Sequence, residues 1–409
     1  MNDLTASVAV PEQPSLWNSV FLRIWAAIFL TSLATFFLLM TLSAKVFAGT
    51  GSAFAANTVV LTQWLPAVLA LPLIKAAVAR YSARALLVFC EAGSAFALLF
   101  VPALFGNVYL LIALLLAKGA FDALSKVSRT VALKSYFSGE TLSRAASYYN
   151  TAALAGGGVG ALFGALLIGQ VALIGVLALC CCMHLAATGL YTSLPVGSKL
   201  NAGGAGKIAG KGQLDAGVRS AIIYFVAAVC LYQGYHNIAR SVFPVRQLGM
   251  SEAGIALVQT LTNLAYIVGA FAAARLSILK GRYNTTGPLL HGLALLSLVP
   301  LPFMSAPGLG LAMYALFAFA FEMAFCVHLR YIITESPSER MAQIVADTNA
   351  LAVGSMVAFS LLGSYVVDKT SLGLITFVVI CAASAVLIFT RDRNRRPPNS
   401  SGDEKPHGE

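Results

Sequence analysis

Twelve apolar stretches, each of about 20 residues, limit how this chain can fold more than any other feature, because that length spans a bilayer as one α-helix. Only 11% of the residues are charged, whereas a soluble domain carries roughly 25%. The sequence therefore predicts an all-α membrane protein with twelve transmembrane helices. The predicted helices are 20–43, 53–74, 85–105, 108–131, 145–168, 170–193, 219–242, 252–276, 286–305, 309–332, 341–366 and 371–390.

The two halves of the chain repeat one pattern. Ala120-Phe121-Asp122 in the fourth predicted helix returns as Ala320-Phe321-Glu322 in the tenth, and Gly160 in the fifth returns as Gly354 in the eleventh. Internal repeats in the same order and at near-constant spacing are typical of secondary transporters. We therefore predict two pseudo-symmetric six-helix halves.

The loops indicate how these halves are arranged in the membrane. Basic residues crowd the loops on the side of the N-terminus, and only Lys45, Arg246 and Lys369 lie on the other side. Because cytoplasmic loops are enriched in lysine and arginine, both termini are predicted to be cytoplasmic. The predicted divisions are a cytoplasmic N-terminal segment at 1–19, the halves at 20–193 and 219–390, a linker at 194–218 rich in glycine and lysine, and a polar tail at 391–409.

Several functional classes find no support in the sequence. The net charge of +11 is spread over the loops and forms no compact basic patch, so we expect no nucleic-acid partner. The seven cysteines lack a paired C-x-x-C spacing. The glycines of 156–160 follow no strand and precede no Lys-Ser/Thr pair, which excludes a phosphate loop. We expect no catalysis, cofactor or metal site.

Ionisable side chains inside the apolar stretches are the strongest functional candidates, because burying a charge in lipid is costly. Lys118, Asp122 and Lys126 share one face of the fourth helix, and Lys126 is expected near the inner interface together with Arg129. Asp122 and Glu322 are predicted to lie at similar depths and to exchange protons. The alternative is that Asp122 only neutralises Lys118.

A polar run on the seventh helix suggests a substrate site near the outward mouth. Tyr232, His236 and Arg240 supply donors and positive charge suited to carboxylates or catecholates, and Lys118 and Thr35 are added as further candidates. The alternative is a histidine with satisfied hydrogen bonds and an arginine that reaches the interface.

Two acidic residues near the inner helix ends suggest a gate. Glu91 lies close in sequence to Arg80 and Arg84, and Asp347 lies close to Arg340. We interpret these as ion pairs of an inner gate that form and break as the halves move.

Two six-helix halves joined by a basic linker resemble the major facilitator superfamily. The glycines from Gly156 to Gly169 resemble the motif C of its drug:proton antiporters, and the 75–84 loop resembles its G-x-x-x-D-R-x-G-R-K motif, with Ala79 in place of the aspartate. The order of features, including AKGAFDA and SPSERMAQIVADTNA, resembles bacterial siderophore exporters of the enterobactin-exporter type. That resemblance implies proton-driven export of a metal-chelating metabolite, with Asp122 at a proton or substrate site and Arg240 near the exit.

The leading hypothesis is thus a multi-pass exporter of the bacterial inner membrane, whose partners are a small-molecule substrate, protons and the lipid bilayer. We expect it to act as a monomer. The alternatives are a broad multidrug:proton antiporter, a proton-coupled nutrient importer, and a membrane scaffold or sensor that transports nothing.

Overall fold

The computed structural model describes residues 18–137, 139–195, 214–251, 253–275, 283–336 and 341–395. These residues form twelve membrane-spanning helices in two six-helix halves, α1–α6 and α7–α12. The helices are α1 (Ser19–Thr50), α2 (segments Ala53–Leu61, Leu65–Leu69 and Leu71–Arg80), α3 (Ala83–Leu98 and Val101–Leu104), α4 (Val108–Tyr136), α5 (Gly139–Leu167), α6 (Leu173–Thr192), α7 (Ala216–Gln247), α8 (Ala253–Arg275), α9 (Tyr283–Leu298, then the 3₁₀ turn Leu301–Phe303), α10 (Pro307–Glu335), α11 (Met341–Lys369) and α12 (Leu372–Arg395).

The predicted helices are confirmed, with differences at their ends. α7 begins at Ala216, inside the predicted linker, and α12 continues to Arg395, past the predicted end at 390. Most of the linker and the end of the tail lie outside the described residues. Because each helix crosses the bundle in the opposite direction to the one before it, α1 begins and α12 ends at the same end. We call this the terminal end, and the opposite one the distal end.

Local sequence explains where the helices start and break. Asn18 accepts a hydrogen bond from the backbone N–H of Phe21 and caps α1, which ends at Gly51 in the left-handed conformation (φ 65°). Proline interrupts the apolar α2 at Pro66, where a segment starts because proline lacks the N–H that an interior turn requires.

α7 is irregular in a different way. Its α-helical parts Ala216–Ala227 and Gly234–Val242 are each followed by a π-helical turn, Ala228–Gln233 and Phe243–Gln247. π-Helical turns inside α-helices are frequent at functional sites. They flank the segment that carries His236 and Arg240.

The glycines of α5 allow unusually close helix packing, as their spacing predicts. A Cβ atom on Gly156 would lie 2.3 Å from the carbonyl oxygen of Phe29, and one on Gly160 would lie 2.3 Å from that of Leu33. Both carbonyls belong to α1, so α1 and α5 touch backbone to backbone. α5 also packs against α8, and α2 against α11, and these two seams join the halves.

Candidate functional site

A cavity of about 410 Å³ lies between the two halves and is the candidate site. Its walls come from α1, α2, α4 and α5 on one side and from α7, α8, α10 and α11 on the other. Eight of the twelve helices therefore contribute to the cavity. Its polar and charged lining residues are Thr31, Ser32, Thr35, Gln63, Asp122, Lys126, Arg129, Gln233, His236, Asn237, Arg240, Gln259, Asn263, Glu322 and Asn349.

Asp122 faces this cavity from α4 as half of an ion pair. Its Oδ2 lies 2.8 Å from Nζ of Lys118 one turn earlier, and its Oδ1 accepts a weak hydrogen bond from Ser94 at 3.4 Å. Lys118 is only 2% exposed and also donates to Thr35 Oγ1 at 3.3 Å. Lys118 therefore lies behind the wall, and Thr35 and Asp122 are the members of this group that reach the cavity.

Glu322 faces the same cavity from α10 without such a partner. It is 5% exposed, and the thiol of Cys326 donates to its Oε1 at 3.3 Å. Within the described part of the chain, no salt bridge involves Glu322. The two repeats thus bring a carboxyl group to one cavity, one paired with a cation and one not.

His236 and Arg240 also line the cavity and share one acceptor. Oε1 of Gln259 lies 3.1 Å from His236 Nε2 and 3.4 Å from Arg240 Nη1. An amide oxygen only accepts, so Nε2 of His236 carries a proton, and Nδ1 lies 2.9 Å from the hydroxyl of Tyr314. Arg240 is 3% exposed and forms no salt bridge among the described residues.

Tyr232 does not belong to this site. It is fully buried in the core of the C-terminal half, and its hydroxyl donates to the carbonyl oxygen of His291 at 3.0 Å. Tyr232, predicted to bind substrate, is therefore placed away from the cavity. The polar run of α7 spans both faces of the helix, and Tyr232 lies on the face turned toward α9 and α10.

The expected position of Arg129 also needs correction. Arg129 is 7% exposed and lines the cavity, with Nη2 donating to Thr31 Oγ1 at 2.7 Å and to Glu91 Oε1 at 3.0 Å. It therefore lies inside the bundle and not at the interface. Lys126 also lines the cavity, with its ammonium 4.0 Å from the centre of the Trp64 ring.

Glu91 pairs within the membrane and not with the gate arginines. Besides Arg129, its carboxylate accepts from Ser125 at 2.8 Å and from His184 Nδ1 at 2.8 Å. Arg84 instead donates to the carbonyl oxygen of Thr192. The expected pairing of Glu91 with Arg80 or Arg84 is thus not formed, because α4 and α6 supply closer donors to the buried carboxylate.

The second predicted gate pair involves residues that the structure describes only in part. Asp347 is exposed on α11. Arg340 lies outside the described residues, as does any contact between the two. Arg80 is exposed at the end of α2.

Sequence reasoning missed the amide side chains of the cavity. Gln63 on α2 and Gln259 and Asn263 on α8 are all buried and all line it. Each lies inside an apolar stretch, where an amide without a partner is costly. These amides within the predicted helices 53–74 and 252–276 could therefore have been identified as candidate site residues from the sequence.

The distal end is closed by hydrogen bonds between the halves. Asp368 on α11 accepts from Ser52 Oγ at 2.8 Å and from the backbone N–H groups of Ala53 and Phe54 at 2.9 and 3.0 Å. Arg246 on α7 donates to Asp368 at 3.0 Å and to the carbonyl oxygen of Gly51 at 2.7 Å. The sequence does not predict this cluster, because its members are far apart in the chain.

A second layer of contacts lies beneath it. Asn57 on α2 donates to Ser364 Oγ at 2.7 Å and to the carbonyl oxygen of Ser360 at 3.2 Å, both on α11. Its Oδ1 accepts from Arg240 Nη2 at 3.2 Å. Arg240 thus lines the cavity and bridges the halves at the same time.

The cavity presents carboxyl, guanidinium, imidazole and amide side chains. Among the described side chains, no group of three or more His, Cys, Asp or Glu is placed to hold a metal ion. The cavity size lies within the roughly 300–1,000 Å³ of small-molecule sites.

Comparisons with known proteins agree on the fold. The sequence profile of the Major Facilitator Superfamily matches residues 24–352. No curated protein matches the sequence. The crystal structure of the nucleoside transporter NupG superposes with a TM-score of 0.71, at 11% identity, over 91% of this chain and 99% of that one.

A bacterial homologue of the iron transporter ferroportin is similar in both of its states. Its inward-facing structure gives a TM-score of 0.69, at 12% identity, over 92% of this chain and 99% of that one. Its outward-facing structure gives 0.60, at 12% identity, over 92% and 100%.

Proposed function

The chain belongs to the major facilitator superfamily, and from that starting point we propose a proton-coupled secondary transporter that exports a small metal-chelating metabolite, a siderophore or metallophore, across the bacterial inner membrane. One observation carries this proposal: Arg240 and Glu322, neither of them in a salt bridge among the described residues, face one cavity between the halves. Membership of this family implies a transport role rather than catalysis.

Arg240 is the anchor for an acidic group of the substrate. Its guanidinium is held by two amide oxygens, those of Asn57 and Gln259. A carboxylate or catecholate forms stronger, charge-assisted hydrogen bonds with a guanidinium than an amide does. The aromatic side chains of Phe36, Tyr266 and Phe321 line the same cavity and suit the less polar body of such a molecule.

Glu322 is the group proposed to exchange protons. Protonation of Asp122 would leave the buried positive charge of Lys118 without a counter-charge, which makes proton uptake by Asp122 unfavourable. Glu322 has no such partner within the described residues. An ammonium group of an aminocarboxylate metallophore competes with a proton for the Glu322 carboxylate, and this competition couples export of the metabolite to entry of protons.

The proposed direction is outward. The α5 glycines that pack on α1 belong to the stretch that resembles motif C of drug:proton antiporters. Because the basic loops lie at the terminal end, we expect that end to face the cytoplasm and the hydrogen-bonded distal end to face outward.

The test uses everted membrane vesicles with an imposed proton gradient and a panel of probes: ethylenediaminedisuccinate as an aminopolycarboxylate, citrate as a carboxylate without an amine, and rhodamine 6G as a lipophilic cation. We expect uptake of the aminopolycarboxylate, its loss in Arg240→Ala, and gradient-independent exchange in Glu322→Gln. Transport of rhodamine alone would favour a multidrug antiporter. Unchanged coupling in Glu322→Gln would remove the proton mechanism proposed for this residue, and loss of coupling in Asp122→Asn alone would assign proton exchange to Asp122.

Proton-coupled uptake is a second candidate, favoured by the same pair of residues. If the substrate is an anion without an amine, protonation of Glu322 lowers the negative charge around Arg240 and assists anion binding. Substrate and proton then travel together. Citrate accumulation in intact cells, and not in everted vesicles, would identify this case.

A further inference from the structure

We infer that Asn57 is a lock on the distal end that the substrate itself releases, by taking Arg240 away from it. This inference rests on the proposed function only in that an acidic group of the substrate binds Arg240. It assigns a role to Asn57, Ser364 and Asp368, which carry no part of the binding or proton exchange proposed above.

The lock begins with the position of Asn57. This side chain is 1% exposed and is the hub of three helices: its amide nitrogen donates to Ser360 and Ser364 on α11, and its amide oxygen accepts from Arg240 on α7. Asn57 belongs to the N-terminal half and all three partners to the C-terminal half. Each of these side-chain hydrogen bonds therefore crosses the interface that must separate if the distal end is to open.

The outer layer repeats this arrangement one turn or more farther out. Asp368 binds the first turn of α2 through Ser52, Ala53 and Phe54, where the N-terminal N–H groups lack helical partners. Arg246 ties Asp368 to the carbonyl oxygen of Gly51. Asp368 is part of the C-terminal half and α2 of the N-terminal half, so this layer also spans the interface.

α7 connects the two layers. Arg240 and Arg246 are six positions apart on one helix, and the π-helical turn Phe243–Gln247 contains Arg246. Both layers therefore depend on the position of α7. An acidic ligand offers Arg240 stronger hydrogen bonds than the amide of Asn57 does, so occupancy removes the Asn57–Arg240 contact and biases the distal end toward opening.

The experiment measures opening directly, without substrate or proton gradient. Spin labels are placed on cysteines introduced at Gly106 in the α3–α4 loop and Ala306 in the α9–α10 loop, both exposed at the distal end. The exposed native Cys182 and Cys381 are replaced by alanine. Double electron–electron resonance then gives the distance distribution across the distal end in detergent or nanodiscs.

We expect Asn57→Ala to raise the long-distance population by about three- to tenfold, the effect of losing one or more buried hydrogen bonds. Arg240→Ala imitates the capture of Arg240 by a ligand and is expected to act alike. The double variant is expected to open no further than Asn57→Ala alone, because both changes remove the same contact.

The matched control is Asn237→Ala. Asn237 is an amide of equal burial, but its hydrogen bond to Ser360 stays within the C-terminal half. Unlike Asn57, it also lines the cavity. We expect no shift in its distance distribution. An equal shift in Asn57→Ala and Asn237→Ala, or fully additive shifts in the double variant, would overturn the lock.

A milder variant covers the case in which Asn57→Ala does not fold. Ser364→Ala removes only one partner of Asn57 and is expected to give a smaller shift in the same direction. For the outer layer, Asp368→Asn is expected to open the distal end. Asp215 caps α7 at the terminal end, and Asp215→Asn is expected to leave the distal end unchanged. Unchanged distances in both Ser364→Ala and Asp368→Asn would also refute the lock, whatever the vesicle assays show.

Discussion

The two walls of the cavity treat their charges differently. In the N-terminal half, the carboxylates are paired: Asp122 with Lys118, and Glu91 with Arg129 and His184. Lys126, on the same wall, lies over the Trp64 ring. In the C-terminal half, Arg240 and Glu322 face the cavity with only amide or thiol partners among the described residues. The carboxylates of the N-terminal half thus have cationic partners, whereas Glu322 of the C-terminal half has none among the described residues. This difference is why we assign substrate binding and proton exchange to the C-terminal half.

The strongest test of this contrast compares two buried glutamates. Glu91→Gln removes the charge that neutralises Arg129, and we expect it to lower the free energy of unfolding by about 3–5 kcal/mol. Glu322→Gln leaves no cation without its partner, and its cost is expected to stay below about 1 kcal/mol. Thermal unfolding of both variants in the same detergent measures the difference. Equal losses would show that the two walls do not differ in this way.

Helix packing offers a second comparison between the halves. Gly160→Ala forces a methyl group against the carbonyl oxygen of Leu33, and we expect a loss of about 1–3 kcal/mol. Its counterpart Gly354 has no atom within 4 Å of an added Cβ. Gly354→Ala is therefore expected to be neutral or to stabilise α11 by up to about 1 kcal/mol. The same unfolding assay decides, and a destabilising Gly354→Ala would contradict the packing described.

A smaller effect distinguishes the two interpretations of Asp122, proton exchange and neutralisation of Lys118. Asp122→Asn leaves Lys118 without a counter-charge, and since Asp122 is partly exposed to the cavity we expect a loss of about 1–2 kcal/mol. Adding Lys118→Met should restore most of it, because the buried cation is then gone. If the double variant is also as active in vesicles as wild type, the pair is structural only. Failure of Lys118→Met to restore stability would argue against the ion pair as the cause.

The smallest expected effect concerns Tyr232. Tyr232→Phe removes one hydrogen bond to the backbone of His291, away from the cavity, at a cost of about 0.5–1.5 kcal/mol. Transport in vesicles is expected to match wild type, whereas Arg240→Ala on the same helix is expected to lose it. A transport defect in Tyr232→Phe without loss of stability would return this tyrosine to the substrate site.

Much of this protein could be read from its sequence, because the relevant information is local. Apolar length alone predicts a spanning helix, since a bilayer leaves a segment no other way to satisfy its backbone hydrogen bonds. The close-packing glycines of α5 and the repeat that contains Asp122 and Glu322 could be recognised in the sequence for the same reason. Both concern what a short stretch can do in lipid.

The partners of the charged residues were decided by the tertiary structure. Glu91 lies near Arg80 and Arg84 in the sequence but bonds to Arg129 and His184, which are 38 and 93 positions away. The lock joins Asn57 to Arg240 over 183 positions. A buried charge pairs with whichever donor the packed helices bring within about 3 Å, and helix order along the chain does not reveal which helices will touch. The sequence therefore determined which groups are rare and costly in the membrane, and the fold decided which of them are neutralised and which remain available to a substrate.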